Sequence, residues 1–153
     1  MASEQVKSVL DNTRSFHRCA KEMYSRLAKD CEEQRASMLL DYLSEHEARL
    51  EDAITQTEAD VSAKVLNTWV QSSESSTHLI QCQELQATSQ SKASFDDLVE
   101  LALKLDDQVI AVYQDLAQRA EPAWLQDVFE SLLEMEQAEE KQLAKQALRG
   151  MDL

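Results

Sequence analysis

A chain of 153 residues with a single Gly and a single Pro has too few turn formers for a β-rich fold. Ala, Leu, Glu, Gln and Lys are all good helix formers, so the composition predicts one all-α domain spanning 1–153, long enough for a real core. The formal net charge of −14 excludes the usual route to nucleic acid, which neutralises phosphates with Lys and Arg, and disfavours an anionic membrane surface.

Cys19, Cys31 and Cys82 form no C-x-x-C pair, so neither a zinc ribbon nor a rubredoxin-type iron knuckle is expected. An odd count without a framework points to a reducing cytosol, with Cys19 and Cys31 as small core or boundary residues. The start, Met1-Ala2-Ser3-Glu4-Gln5, lacks the basic and apolar regions of a secretory leader. No apolar run approaches membrane-spanning length, and the expected location is the cytoplasm.

The first predicted helix carries a stripe at Val6, Leu10, Thr13, His17, Ala20, Tyr24, Leu27 and Cys31. Its steps alternate between three and four, as a bundle-facing seam requires. The second starts between Glu32 and Ala36, with a stripe at Leu39, Leu43, His46, Leu50, Ala53 and Thr57. Together they make a helix pair over 4–58.

Residues 59–93 are rich in Ser, Thr and Gln. Val61, Val65, Leu66, Trp69 and Val70 suit a short amphipathic helix, and Leu79, Ile80 and Leu85 are candidates to touch the core. Such a connection is long enough to run the length of a bundle as a crossover. His78 reads as an exposed loop residue, and Trp69 and Trp124 as packing residues at element ends.

The second pair covers 94–149. Ser94 is a good N-cap, with Asp96 and Asp97 at the positive helix end. The third helix buries Leu98, Ala102, Leu105, Val109, Val112 and Leu116, with Asp106 and Tyr113 beside that face. The fourth follows Pro122, carries Leu125, Phe129, Leu132, Glu136, Glu139 and Leu143, and ends near Arg149-Gly150. A helix of about 25 residues is roughly 38 Å long, and four of them suit one bundle.

The two pairs repeat each other. At an offset of 89, Tyr24 falls on Tyr113, Leu27 on Leu116 and Ala28 on Ala117. One inserted residue later, Leu39 falls on Phe129, Leu43 on Leu133 and Ala48 on Ala138. Midway along the second helix of each pair stand Leu43-Ser44-Glu45-His46-Glu47-Ala48-Arg49 and Leu133-Glu134-Met135-Glu136-Gln137-Ala138-Glu139.

On these residues the chain resembles the rubrerythrin-like branch of the ferritin-like superfamily. In each half that family carries a ligand Glu seven residues before a Tyr, then Glu-x-x-His on the next helix. Here the first Glu falls on His17 and its Glu-x-x-His on His46 and Arg49. In the second half the positions hold Asp106, then Glu136 and Glu139. The resemblance implies a ferritin-like four-helix bundle, with a long crossover between helices 2 and 3, in which all six positions converge. It also implies a homodimer.

Three basic or titratable groups would then face three carboxylates. Unpaired buried charges are costly, so they should pair. Arg49 cannot lose its proton and is no ordinary metal ligand; it should bridge Glu136 or Glu139. Tyr24 and Tyr113 should hydrogen-bond into this core. The leading expectation is a non-enzymatic, degenerate ferritin-like binding or scaffold module, free of cofactor, with a possible protein partner. The alternative keeps iron or manganese on His17, His46, Asp106, Glu136 and Glu139, giving a diiron-type oxidoreductase or iron-handling protein with an altered site. No nucleophilic triad or Gly-rich phosphate loop is present in the sequence.

Overall fold

Two long helical hairpins build the body of the protein, seen in a computed structural model that describes residues 1–79, 81–87 and 93–150. The first joins α1 (Val6–Lys29) to α2 (Gln34–Asp60). After the crossover elements α3 (Ala63–Leu66) and α4 (Cys82–Ala87), the second joins α5 (Phe95–Arg119) to α6 (Ala123–Leu148). The four long helices make the expected all-α bundle, with the predicted crossover between the pairs.

The predicted stripe of α1 is buried from Val6 to Leu27, while Cys31 lies past the helix end and is half-buried. A second line on α1, including Val9, Phe16, Cys19 and Met23, is also buried. The crossover covers part of it: Phe16 lines one cavity with Leu79 and Cys82, and the Arg26 guanidinium donates to the Leu85 carbonyl at 3.2 Å. α2 begins where the Glu33 carboxylate accepts from the backbone N–H groups of Arg35 and Ala36. Its apolar stripe is wider than predicted. Leu39, Leu43, His46 and Leu50 are buried, but so are Leu40, Glu47 and Ile54, one position further round, while Ala53 and Thr57 are half-buried.

The crossover departs from the expected short helix over 61–70. Only Ala63–Leu66 is helical; Trp69–Ser72 forms a strand, β2, paired antiparallel with β1 (Ala2–Gln5), Glu4 opposite Val70. Val70 is buried while Trp69 and Gln71 point out, the period-two pattern of a half-buried strand. Residues 4 and 5 are therefore strand rather than the start of the first helix. Trp69 is 64% exposed and Trp124 44% exposed, so neither packs as expected. Leu79 and Leu85 do join the core and His78 is exposed, as predicted; Ile80 lies outside the described residues.

The second hairpin follows the sequence closely. Ser94 and Asp97 form a reciprocal capping box at the start of α5. Pro122 caps α6, and Gly150 ends it at φ +62°, where a side chain would be strained. The Arg35 guanidinium donates to the Gly150 carbonyl at 3.0 Å and stacks 4.5 Å above Phe95, tying three helix ends together.

The cysteines correct the expectation of a chain without cystine. Cys19 on α1 and Cys82 at the start of α4 form a disulfide, with Cα atoms 5.5 Å apart across 63 residues of sequence. Cys31 is free.

Candidate functional site

Midway along each long helix the apolar seam is interrupted by an ionisable residue. α1 contributes His17, α2 His46 and Glu47, α5 Asp106 and α6 Glu136, all buried. Glu139 and Arg49 close the cluster at its edge, their side chains 21% and 45% exposed. The six positions singled out in the sequence thus converge.

The contacts form two chains. His17 Nδ1 lies 2.5 Å from Glu47 Oε2, and its Nε2 lies 2.7 Å from Glu136 Oε1. His46 Nε2 lies 2.9 Å from Asp106 Oδ2, and its Nδ1 lies 3.2 Å from Glu139 Oε1. Arg49 Nε donates to both Glu139 oxygens, at 3.0 and 3.2 Å. Arg49 also stacks on Tyr42, whose ring lies parallel to His46.

A carboxylate accepts and does not donate. A histidine facing carboxylates with both ring nitrogens satisfies both only as the imidazolium. Burial alone would push the His17 proton off, but Glu136 and Glu47 outweigh it and hold its pKa well above the usual value. His46 is raised too, against burial, by Asp106 first and then Glu47 and Glu139. Burial also raises Glu47 and Asp106, partly offset by His17 and His46 respectively. One turn beyond Glu136, Glu140 is pushed up to about 8 by burial and by the Asp107 carboxylate beside it. His17, His46, Glu47 and Asp106 thus all hold protons more tightly than their free side chains do.

The two tyrosines differ. Tyr113 donates to Thr13 Oγ1 at 2.8 Å. Tyr24, at the matching place in the other half, has no hydrogen-bond partner for its hydroxyl among the described residues, contrary to expectation. Burial, with Glu47 and Asp106 nearby, pushes its pKa well up.

Glu47 is the site residue that the sequence reading missed. Its spacing was the available signal: Leu40, Glu47 and Ile54 stand seven apart and all are buried. A strict one-residue-wide seam through His46 passes beside it.

The donor set bears on a metal centre in two ways. Arg49 stands where a ligand is needed, and both histidines are engaged at both nitrogens, so the residues do not fit the family's two-ion pattern. Against this, donor atoms of His46, Glu47 and Asp106 lie within 4.8 Å of one another. Glu47 Oε1, Asp106 Oδ1 and Glu136 Oε2 are buried without a partner among the described residues. These are the atoms on which a single ion would rest.

No protein-family model matches the chain, and no curated protein does. Among solved structures it is similar to a crystal structure from Thermotoga maritima described as that of a candidate ferritin-like diiron-carboxylate protein. The TM-score is 0.66 at 10% identity, over 95% of this chain and 96% of that one. At that identity the likeness speaks for architecture alone. The fold is ferritin-like.

Proposed function

We propose that this chain is a non-enzymatic, degenerate member of the rubrerythrin-like branch, a binding or scaffold module in which protons and Arg49 take the place of metal charge. One observation carries the reading: both ring nitrogens of both buried histidines face carboxylate oxygens. An imidazolium has no lone pair for a metal. The Arg49–Glu139 pair neutralises a further carboxylate in the same cluster. Such a core holds four helices in register and leaves recognition to the surface. The partners we infer are a second copy of the chain and a protein that tolerates an acidic surface, in the cytoplasm. No helix among the described residues is long and apolar enough to cross a membrane.

A second reading has its own support. The three unpartnered carboxylate oxygens and the His46–Glu47–Asp106 grouping favour one iron or manganese ion, held when the pH is high enough to strip a histidine. Iron or manganese bound there would supply redox chemistry; the chain's own residues would hold it and exclude water.

Elemental mass spectrometry separates the readings. Untagged protein is grown with and without added iron and manganese, then held at mildly acidic and at alkaline pH. Metal well below one equivalent throughout is the expected result. Stoichiometric metal that appears only at alkaline pH selects the second reading, and stoichiometric metal at every pH overturns the proton-filled core.

A further inference from the structure

We propose that the Cys19–Cys82 disulfide is a reducible latch: by accepting two electrons from a dithiol reductant it frees α4 and the adjoining crossover from α1. The two sulfurs are placed unequally. Cys19 is buried on α1, whereas Cys82 is half-exposed and opens a six-residue helix. A helix that short does not persist alone in water. This end of the crossover is also held by Leu79 and Leu85 against the core, Arg26 to the Leu85 carbonyl, Asn12 Nδ2 donating to Ser76 Oγ at 2.9 Å, and the Ser76 N–H and hydroxyl donating to the Glu4 carboxylate.

A polar cavity of about 190 Å³ lies between α1 and the crossover, lined by Asn12, Ser15, Phe16, Thr77, Gln81 and Cys82. The Phe16 ring also lies edge-on to that of its chain neighbour His17, at 5.6 Å between centroids. Lifting the crossover therefore exposes Phe16.

The exchange balances as ordinary thiol–disulfide chemistry. A thiolate of the dithiol attacks Cys82 Sγ and forms a mixed disulfide. Cys19 leaves as a thiolate and takes up a proton. The second thiolate of the reductant attacks its own sulfur in the mixed disulfide and releases Cys82, which is also protonated. Two electrons and two protons pass to the protein, and the reductant ends as its disulfide. Disulfides in a reducing cytoplasm, the location proposed above, are usually transient and catalytic or redox-sensing.

The test uses the intact protein purified without reductant. Alkylation and mass measurement should find one reactive thiol, Cys31, before dithiothreitol and three after it. Hydrogen exchange is then followed in both states. Reduction should speed exchange of residues 76–79 and 82–87 several-fold while α5 and α6 keep their protection. The Cys19→Ser/Cys82→Ser variant should match the reduced protein and ignore dithiothreitol. Three thiols before reduction overturn the proposal, as does unchanged exchange in the crossover. Loss of protection across α5 and α6 also overturns it, since the bond would then be a staple of the whole fold.

Discussion

His17 Nε2 sits 2.7 Å from Glu136 Oε1, joining α1 to α6 across 119 residues of sequence, while its other nitrogen holds Glu47 of α2. One imidazolium therefore clamps three of the four long helices. Removing it strands two carboxylates in a dry site. His17→Ala should cost about 3–5 kcal/mol, the range for breaking a buried ion pair from one side. Replacing the whole triad, His17→Leu with Glu47→Leu and Glu136→Leu, should recover most of that loss, because apolar replacement of a buried ionic triad is often neutral or better. Urea denaturation of the three proteins checks both values. A small effect of His17→Ala alone would mean that the triad is not charged as described.

Arg49 gives the opposite expectation. It pairs with Glu139 at the cluster's edge and is nearly half exposed, so water replaces much of what it supplies. Arg49→Ala should cost no more than about 1 kcal/mol, the usual ceiling for an exposed pair. His46 keeps its contact with Asp106 in that variant. A loss as large as that of His17→Ala would show Arg49 to be a buried counter-charge.

Stability should fall as pH rises. A folded-state pKa raised above the unfolded value means that the native protein keeps protons the unfolded chain has shed. His17 and His46 are both raised above 6.5, so their contribution is complete below that value and is lost as pH climbs through their folded pKa values. Glu47 and Asp106 are raised as well and act in the same direction from lower pH, and Glu140, at about 8, extends the slope. Thermal melts should show Tm declining from about pH 6 to about pH 9, spanning the ordinary histidine range. A flat or rising Tm over that interval would contradict the proton-filled core.

The sequence carried the bundle because its signals were local. Ser94 with Asp97, Pro122, Gly150 and the three-four spacing of α1 each act within a turn or two, and each appears where expected. The convergence of His17, His46, Arg49, Asp106, Glu136 and Glu139 was legible because the repeat sets both hairpins to the same height. What escaped depends on the third dimension. Glu47 lies inside because the buried face of α2 is wider than one seam. Strand β2 exists because residues 2–5 supply it with a partner about seventy residues away, which no window on the crossover contains. The Cys19–Cys82 pairing likewise follows from the path of the crossover over α1, and spacing alone does not encode that path.

The two tyrosines test how far the halves still match. Tyr113 donates to Thr13, and Tyr113→Phe leaves that hydroxyl without its donor, so a loss of about 1 kcal/mol is expected. Tyr24 makes no such bond among the described residues, and Tyr24→Phe removes a buried hydroxyl that has no partner. It should be neutral or slightly stabilising. Chemical denaturation of the pair decides it, and equal losses would assign Tyr24 a partner in solution.

Rebuilding the first half is the most demanding test of the site. The combined change His17→Glu, His46→Glu and Arg49→His places the family's residue types at its three positions. It also leaves the histidine introduced at position 49 as the one basic group in a cluster that still contains Glu47, Asp106, Glu136 and Glu139. Without metal the variant should be strongly destabilised, because six carboxylates then share one site with a single histidine as counter-charge. With ferrous iron or manganese added, its Tm should rise with concentration as mass action requires, and purified protein should carry stoichiometric metal. The parent should show neither response. Equal metal content in parent and variant would sink the reading that protons and Arg49 replaced metal. A variant that stays unfolded at every metal concentration would remove the assignment of these three positions as ligand slots.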